Sequence, residues 1–350
     1  MKTEASIKKL NSMKSDPKDR NKFFPNEIIK WYEGNGRNNL PWRNNVTAYK
    51  VWISEIMLQQ TQVKTVIPFF NAFVKKYPNL KSLSLASEEN ILAMWTGLGF
   101  YKRAKNIFKT KEIISKNFNN RFPKSFEDIV SLPGIGPSTA GAIMSIAYKK
   151  PHPILDANVK RVISRYVAME NSPKTNKKLW FWSSQYTPQN NIFEYTQGIM
   201  DLGATICTNS NPSCNICVLK RKCKSAFKVE RVKNKNKKIN PTKKINFILA
   251  TSKNSVLLFK KLEKSFWEGL WTPYEIEESG TTPWNKTYLS KDKLNIKHKL
   301  SHINLELYVD IQKHEKKFKI DSNAEYKWIE KKDIGKYGLP KPIKSIIESL

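Results

Sequence analysis

From Tyr49 to Val66 the apolar residues Val51, Trp52, Ile53, Ile56, Met57 and Val63 recur at a spacing nearer 3.6 than 2, the rhythm of a helix with a buried face. The same rhythm predicts helices over 66–76, 87–95 with Ser87 as N-cap, 101–117, 125–131, 138–147, 157–168 and 176–187. Tyr77-Pro78, Gly97 with Gly99, and Pro151 with Pro153 separate them as turns. After Cys223 the pattern changes. Residues 228–244 are basic and poor in apolar side chains, with Lys233, Lys235, Lys237, Lys238, Lys243 and Lys244, and read as a linker. Beyond them INFILATS, NSVLLFKKL and INLELYVDIQ, the last alternating Leu305, Leu307 and Val309, predict strands, and PKPIKSIIESL predicts a short closing helix. The pattern thus gives an N-terminal extension (1–25), a mainly α domain (26–227), a basic linker (228–244) and a smaller α+β domain (245–350), with no internal repeat.

Composition sharpens this only in part. A chain of 350 residues fits two domains, and an apolar fraction of 39% is enough to build their cores. No run reaches the ~18 consecutive apolar residues of a membrane span. The opening MKTEASIKKLNSMKSDPKDR has no apolar core of a signal peptide, and its Glu4 and Asp16 do not suit a transit peptide, so a cytoplasmic protein is expected. Lysine and arginine number 62 against 30 aspartates and glutamates, a formal net charge of +32. That excess favours a polyanionic partner, since neutralising phosphates releases counterions. Lys, Asn and Ile also abound together, as AT-rich codons would produce, so charge alone does not name the partner.

Two motifs carry more. In LPGIGPSTAGAI (132–143), Gly134 and Gly136 permit positive φ and close backbone approach, and Pro137 suits a first helical turn. Between two predicted helices this is either a plain turn or a hairpin whose N–H groups converge on a phosphate without reading sequence. The four cysteines, Cys207, Cys214, Cys217 and Cys223, lie in one C-x6-C-x2-C-x5-C cluster. In an intracellular chain four clustered thiols mean a metal centre rather than disulfides. Zinc usually takes two short clips, and only Cys214–Cys217 is one here, so the spacing leans towards a [4Fe–4S] site. The loop would present Lys220, Arg221 and Lys222 to a phosphate backbone.

Two carboxylates stand apart from the solvated majority. Glu55 is hemmed by Trp52, Ile56 and Leu58 on a helix that should be buried. Asp156 precedes a predicted helix and can N-cap it, which is compatible with a chemical role. A carboxyl in apolar surroundings has a raised pKa and can serve as a general acid near neutrality, while an ionised partner faces a developing cation.

Together and in this order, the motifs resemble the MutY-type adenine DNA glycosylases, in the helix–hairpin–helix superfamily that also holds endonuclease III. The resemblance rests on WYEGNGRNNLPWR (31–43), SEIMLQQTQV (54–63), GLGFYKRA (97–104), LPGIGPSTAGAI, ILDANVKRV (154–162), QGIMDLGATIC (197–207) and the cysteine loop. KKLEKSFWEGLWTPYE (260–275) and HKLSHINLEL (298–307) resemble the family's Nudix-like domain, without the clustered glutamates of a Nudix hydrolase. The resemblance implies a mainly α glycosylase domain with a [4Fe–4S] loop, then a Nudix-like α+β domain that reads the opposite base. It implies a monofunctional base excision repair enzyme that flips adenine out of duplex DNA opposite 8-oxoguanine or guanine, acting as a monomer at the bacterial nucleoid, with no membrane partner.

By the same resemblance Glu55 protonates adenine at N7, and Asp156, supported by Asn158, stabilises the oxocarbenium sugar. Gln60 and Thr61 wedge at the vacated pair beside the stretch Leu98, Phe100 and Tyr101, while Trp42, Arg43 and Leu58 neighbour the adenine. Gly134 and Gly136 hold phosphate, and Ser301, with His302 beside it, contacts 8-oxoguanine; alternatively His302 is an ordinary strand histidine. The chain departs from the family twice: Phe100 stands where tyrosine is common, and the loop 208–213, basic in relatives, is uncharged. An endonuclease III-like lyase would need a lysine where Ser138 stands, because a Schiff base needs an amine. A non-catalytic DNA-binding module would not need Glu55 and Asp156.

Overall fold

The computed structural model describes residues 17–228, 240–262, 267–276, 282–284, 286–287 and 289–350. Their helices are α1 (Pro17–Asn35), α2 (Ala48–Leu58), α3 (Val63–Lys76), α4 (Leu80–Ser84), α5 (Glu88–Met94), α6 (Lys102–Phe118), α7 (Phe126–Ser131), α8 (Pro137–Ala147), α9 (Ala157–Tyr166), α10 (Asn176–Tyr186), α11 (Ile192–Thr205) and α12 (Lys341–Ser349). The strands are β1 (Thr242–Ser252), β2 (Ser255–Lys260), β3 (Trp271–Thr272), β4 (Tyr274–Glu275), β5 (Ser290–Lys299), β6 (Asn304–Lys313) and β7 (Tyr326–Glu330). None of these helices is long and apolar enough to cross a membrane.

Two compact units emerge. One joins the described residues up to Gln59 to those from Arg121 onward as far as 228; the other joins Gln60–Asn120 to those from 240 to the end.

In the first unit, α1 begins ahead of residue 26 and sinks Phe24 into the core, stacked on Tyr186. The helix predicted over 49–66 is two helices, because Gln60 takes φ 57°, a left-handed conformation no α-helix carries through its interior. Helix α11 is not announced by its sequence, since Gly198 and Gly203 interrupt IFEYTQGIMDLGAT. Those glycines let helices cross closely. A Cβ on Gly198 would stand 2.8 Å from Ile28 Cγ2, and one on Gly203 would stand 2.7 Å from Asn158 Cβ.

In the second unit the sheet runs β3-β2-β1-β6-β5 among the described residues, with β4 against β1 and β7 against β2. β1 and β6 are parallel, Thr242 opposite Asn304 through Thr251 opposite Lys313. Lys243 and Lys244, expected in the linker, are therefore ladder residues of β1; 229–239 lie outside the described residues. One sheet face closes over Ile248, Ala250, Leu257, Phe259, Trp284 and Ile320. β5 forms an edge that pairs only with β6 among the described strands, with lysines at 291, 293, 297 and 299.

Candidate active site and metal centre

Glu55 is a carboxylate on a helix whose neighbours Trp52, Ile53, Ser54, Ile56 and Met57 are all buried. Burial pushes its carboxyl up to about 8; the negative charge of Asp156 adds to the rise and Arg43 opposes it. Desolvation disfavours the ionised form, and a like charge nearby disfavours it further. The electrostatic coupling brings Glu55 and Asp156 into one site.

Asp156 is the N-cap of α9, and its Oδ1 accepts the Val159 N–H at 2.7 Å. Burial raises its pKa above the ordinary carboxylate value, while the N–H groups of Val159 and Asn158 and the charge of Arg161 pull the other way. Capping is compatible with an ionised Asp156, because N–H groups at a helix start favour an anion. The approach to Asp156 is held from three sides. Gly141 lets the chain lie against α8, where a Cβ would stand only 2.3 Å from Pro153 O. Ser183 Oγ donates to Ile154 O at 2.7 Å, and Ser138 Oγ accepts the Leu155 N–H at 2.9 Å. Ser138 is therefore a strut for the residue preceding Asp156.

Trp42 and Arg43 sit in a short 3-10 turn, Pro41–Arg43. Trp42 is buried, and Arg43 forks onto Asp201, with Nη1 to Oδ2 at 2.7 Å and Nη2 to Oδ1 at 2.9 Å. Arg37 closes the cluster, its Nε donating to Asp201 Oδ1 at 2.8 Å and its main-chain N–H to Oδ2 at 2.9 Å. Burial alone would raise the Asp201 carboxyl, but the hydrogen bonds and charge of Arg43, then those of Arg37, hold it below the usual range. Leu58, at the end of α2, is half-buried.

At the hairpin only Gly134 needs its glycine conformation, with φ 79°; Gly136 is the N-cap of α8 at φ −88°. The expectation of two permissive glycines is corrected at the second. Nothing lies within 4 Å of a Cβ built on Gly136, so its value is an unobstructed backbone. Ile135 is buried while Gly134, Gly136 and Pro137 face solvent, which turns the N–H groups of the α8 start outward.

Cys207, Cys214, Cys217 and Cys223 are free thiols lining one cavity with Arg165, Ile206, Pro212 and Lys220. Burial pushes the Cys217 thiol up to about 11, with the charges of Cys207, Cys223 and Cys214 adding to the rise. Four thiols that repel one another as anions are a donor set for a soft, positively charged metal group. Among the described residues no three or more His, Cys, Asp or Glu side chains are gathered closely enough, as they stand, to hold a metal ion. The uncharged loop 208–213 is underpinned from α9. Arg165 Nη1 donates to Thr208 O at 2.6 Å and to Cys207 Sγ at 3.4 Å, its Nη2 to Asn209 O at 2.7 Å, and Arg161 Nε to Cys207 O at 2.7 Å. Arg161 Nη2 also donates to Asn158 Oδ1 at 2.7 Å, so α9 holds Asp156 at its start and braces the cysteine loop along its length. Lys220 and Arg221 are exposed, and Lys222 lies over the Phe23 ring.

Within the second unit, Gln60 (φ 57°) and Phe100 (φ 49°) both take left-handed conformations. Each costs about 1–3 kcal/mol and persists only where neighbours enforce it. Arg103, which the sequence motif did not mark, lies against Phe100 and bonds to Thr61, the residue after Gln60. Its Nη2 donates to Thr61 Oγ1 at 3.2 Å and Gly99 O at 3.0 Å, and its guanidinium lies over the Trp95 and Phe100 rings. Phe100 is 43% exposed, whereas Leu98, expected to face DNA, is 6% exposed and belongs to the core. Tyr101 turns its hydroxyl to Leu339 O at 3.0 Å. Ser301 and His302 are both exposed in the turn joining β5 to β6, so His302 is a loop residue and not a strand one. Asn240 Nδ2 donates to Ser301 O at 3.4 Å, leaving its side chain outside that bond.

An adenine DNA glycosylase of Buchnera aphidicola subsp. Schizaphis graminum is 42% identical over 344 residues, spanning 93% of this chain and 98% of that protein. The chain belongs to the adenine DNA glycosylase family. Residues 53–185 of the glycosylase match the model of the HhH-GPD superfamily of base excision DNA repair proteins, and residues 246–349 match that of the NUDIX domain. A thermostable thymine-DNA glycosylase covers 61% of this chain and all of its own, at 27% identity and TM-score 0.57. Endonuclease III, in a non-covalent complex with DNA, shares the fold over 60% of this chain and 97% of its own at 19% identity and TM-score 0.52. The chain is thus a DNA glycosylase of base excision repair, with a mainly helical first part followed by a Nudix domain on a mixed sheet.

Proposed function

We propose that this glycosylase removes adenine standing opposite 8-oxoguanine or guanine in duplex DNA and leaves the strand intact. The observation that carries the reading is the coupled pair: Glu55 with its carboxyl raised to about 8, and Asp156 at the N-cap of α9. At neutral pH Glu55 holds its proton and delivers it to N7 of the flipped base, which then departs as a neutral leaving group. Asp156, supported by the N–H groups of Val159 and Asn158, faces the oxocarbenium sugar. Trp42, Arg43 and Leu58 neighbour the base; Gln60, Thr61 and Phe100 wedge the vacated pair, with Leu98 beneath and Tyr101 behind; Gly134 and Gly136 take a phosphate; Ser301, beside His302, reads the opposite 8-oxoguanine. The enzyme acts as a monomer. Excision measured on adenine opposite 8-oxoguanine, adenine opposite guanine and oxidised pyrimidines tests this. Product should come from the two adenine duplexes and appear as a cut strand only after alkali; cutting without alkali would refute the monofunctional part.

We also infer that the four cysteines hold a [4Fe–4S] cluster, because all four line one cavity and only Cys214–Cys217 forms the short clip that zinc usually takes twice. When bound, the cluster would cross-link the loop 207–223 and present Lys220 and Arg221 to the DNA backbone. Purified protein should be brown, with a broad visible band and about four irons per chain; colourless protein containing zinc would overturn the assignment.

Ser138→Lys should introduce lyase activity, read as a borohydride-trapped adduct with DNA. It should also slow adenine release about ten-fold, since Leu155 N–H loses its acceptor and Asp156 its strut. A folded variant that releases adenine at the parental rate and never forms an adduct would refute both claims.

A further inference from the structure

The loop that carries Phe100 is fastened at both ends to one residue far along the chain. Leu339 is fully buried; its N–H donates to Thr96 Oγ1 at 3.3 Å, and its C=O accepts from Tyr101 Oη at 3.0 Å. Thr96 and Tyr101 bracket the strained segment 97–100, and Gly97 N–H reaches back to Tyr101 Oη at 3.5 Å. Burial pushes the Tyr101 hydroxyl up to about 12, so it remains a donor throughout the working pH range.

Leu339 itself has little freedom. A Cβ on Gly338 would stand 2.7 Å from Leu92 Cβ, so the segment lies flat on α5, and Gly338 O accepts the Trp271 N–H at 2.9 Å. Trp271 Nε1 donates to Glu89 on the same helix, and Lys105 of α6 pairs with Glu268 at 2.8 Å. The Nudix domain therefore grips α5 and α6 through side chains, but it grips the loop between them through the main-chain N–H and C=O of Leu339, which any substitution there other than proline keeps. One face of Phe100 is set by Arg103; the pitch of its loop is set by Leu339.

We propose that Tyr101 and Thr96 are positioning residues for discrimination at the opposite base, coupling the wedge loop 97–100 to the domain that carries Ser301 through the main chain of Leu339. The proposal rests on the reading of Ser301 and Phe100 given above. A hydroxyl fixed at both ends makes the domain that meets the damage and the segment that enters the helix move as one body. Loosening the clip lets Phe100 sample poses that the opposite base no longer selects, so the preference for 8-oxoguanine over guanine falls.

Tyr101→Phe keeps the ring and removes only the hydroxyl; Thr96→Val keeps the branched shape. Each should lower the ratio of single-turnover excision rates, adenine opposite 8-oxoguanine over adenine opposite guanine, by about ten-fold, the effect of one lost hydrogen bond. Hydrogen exchange on the free protein supplies a readout that needs no activity. In Tyr101→Phe the amides of 97–100 and the Leu339 amide should exchange faster together, although Leu339 N–H keeps its acceptor on Thr96. An unchanged rate ratio, or faster exchange confined to 97–100, would overturn the proposal. If the parental protein shows no preference for 8-oxoguanine, the reading of Ser301 fails together with the link to damage, while excision from both adenine duplexes still stands; exchange still decides whether the clip couples the two segments.

Discussion

Glu55→Gln should lower the rate of adenine excision by about 10²- to 10⁴-fold, the usual contribution of a positioned general acid. Glutamine fits the same space on α2 and can still hydrogen-bond, but it has no acidic proton to give. The loss should therefore fall on the chemical step in single-turnover kinetics, while affinity for an uncleavable duplex stays close to parental. The pH profile provides a second check. Burial, with the Asp156 charge behind it, puts the carboxyl at about 8. Below that value the acid is loaded; above it, the rate should fall about ten-fold per pH unit. A parental enzyme that stays flat from pH 7 to 10, or a Glu55→Gln enzyme of parental rate, would remove Glu55 from the role.

The second large effect is on stability. In Asp201→Ala, the Arg43 side chain, only 4% exposed, loses the carboxylate it forks onto, and Arg37 loses it too. Removing one partner of a buried pair leaves an uncompensated charge, a loss of about 3–5 kcal/mol. The expected result is a clear fall in the denaturant midpoint of the first unit, with Asp201→Asn falling less because an amide oxygen still accepts. The pH dependence has a definite sign. The Asp201 carboxyl is held below its ordinary value in the folded state, so its contribution is present above the ordinary carboxylate pKa. It is lost as pH falls through the lower, folded value, and the parental protein should lose its advantage over Asp201→Ala in acid.

What the sequence revealed and what it concealed follow from how far apart the partners are. The cysteine cavity and the hairpin turn are legible because their residues lie within a few positions of one another. Glu55 was legible because a lone carboxylate in an apolar helical run is a conflict that demands a reason. Asp201 presents the same conflict inside QGIMDLGAT, but nothing near it in the sequence answers its charge; its partner Arg43 lies 158 positions away. Ser138 stands out in the sequence for the amine it lacks, whereas its hydroxyl holds Leu155 across 17 positions. Arg161 and Arg165 stand one turn apart on α9, a same-face basic pair that could have pointed to the cysteine loop. Helix α11 was hidden by glycines whose use is visible only once Ile28 and Asn158 are seen against them.

The edge strand β5 bears on how copies of the enzyme behave towards one another. An unpaired strand edge is a template on which a second chain can add its own strand, the first step of sheet-mediated aggregation. On β5 that edge carries lysines at 291, 293, 297 and 299. Two molecules meeting there would bring lysine rows face to face, and the repulsion would act before any backbone bond could form. The protection is electrostatic and so depends on the medium: as added salt shortens the screening length from about 10 Å at 0.1 M towards about 3 Å at 1 M, it weakens. Self-association of the concentrated enzyme should therefore rise with ionic strength, in the same buffers that loosen its hold on DNA.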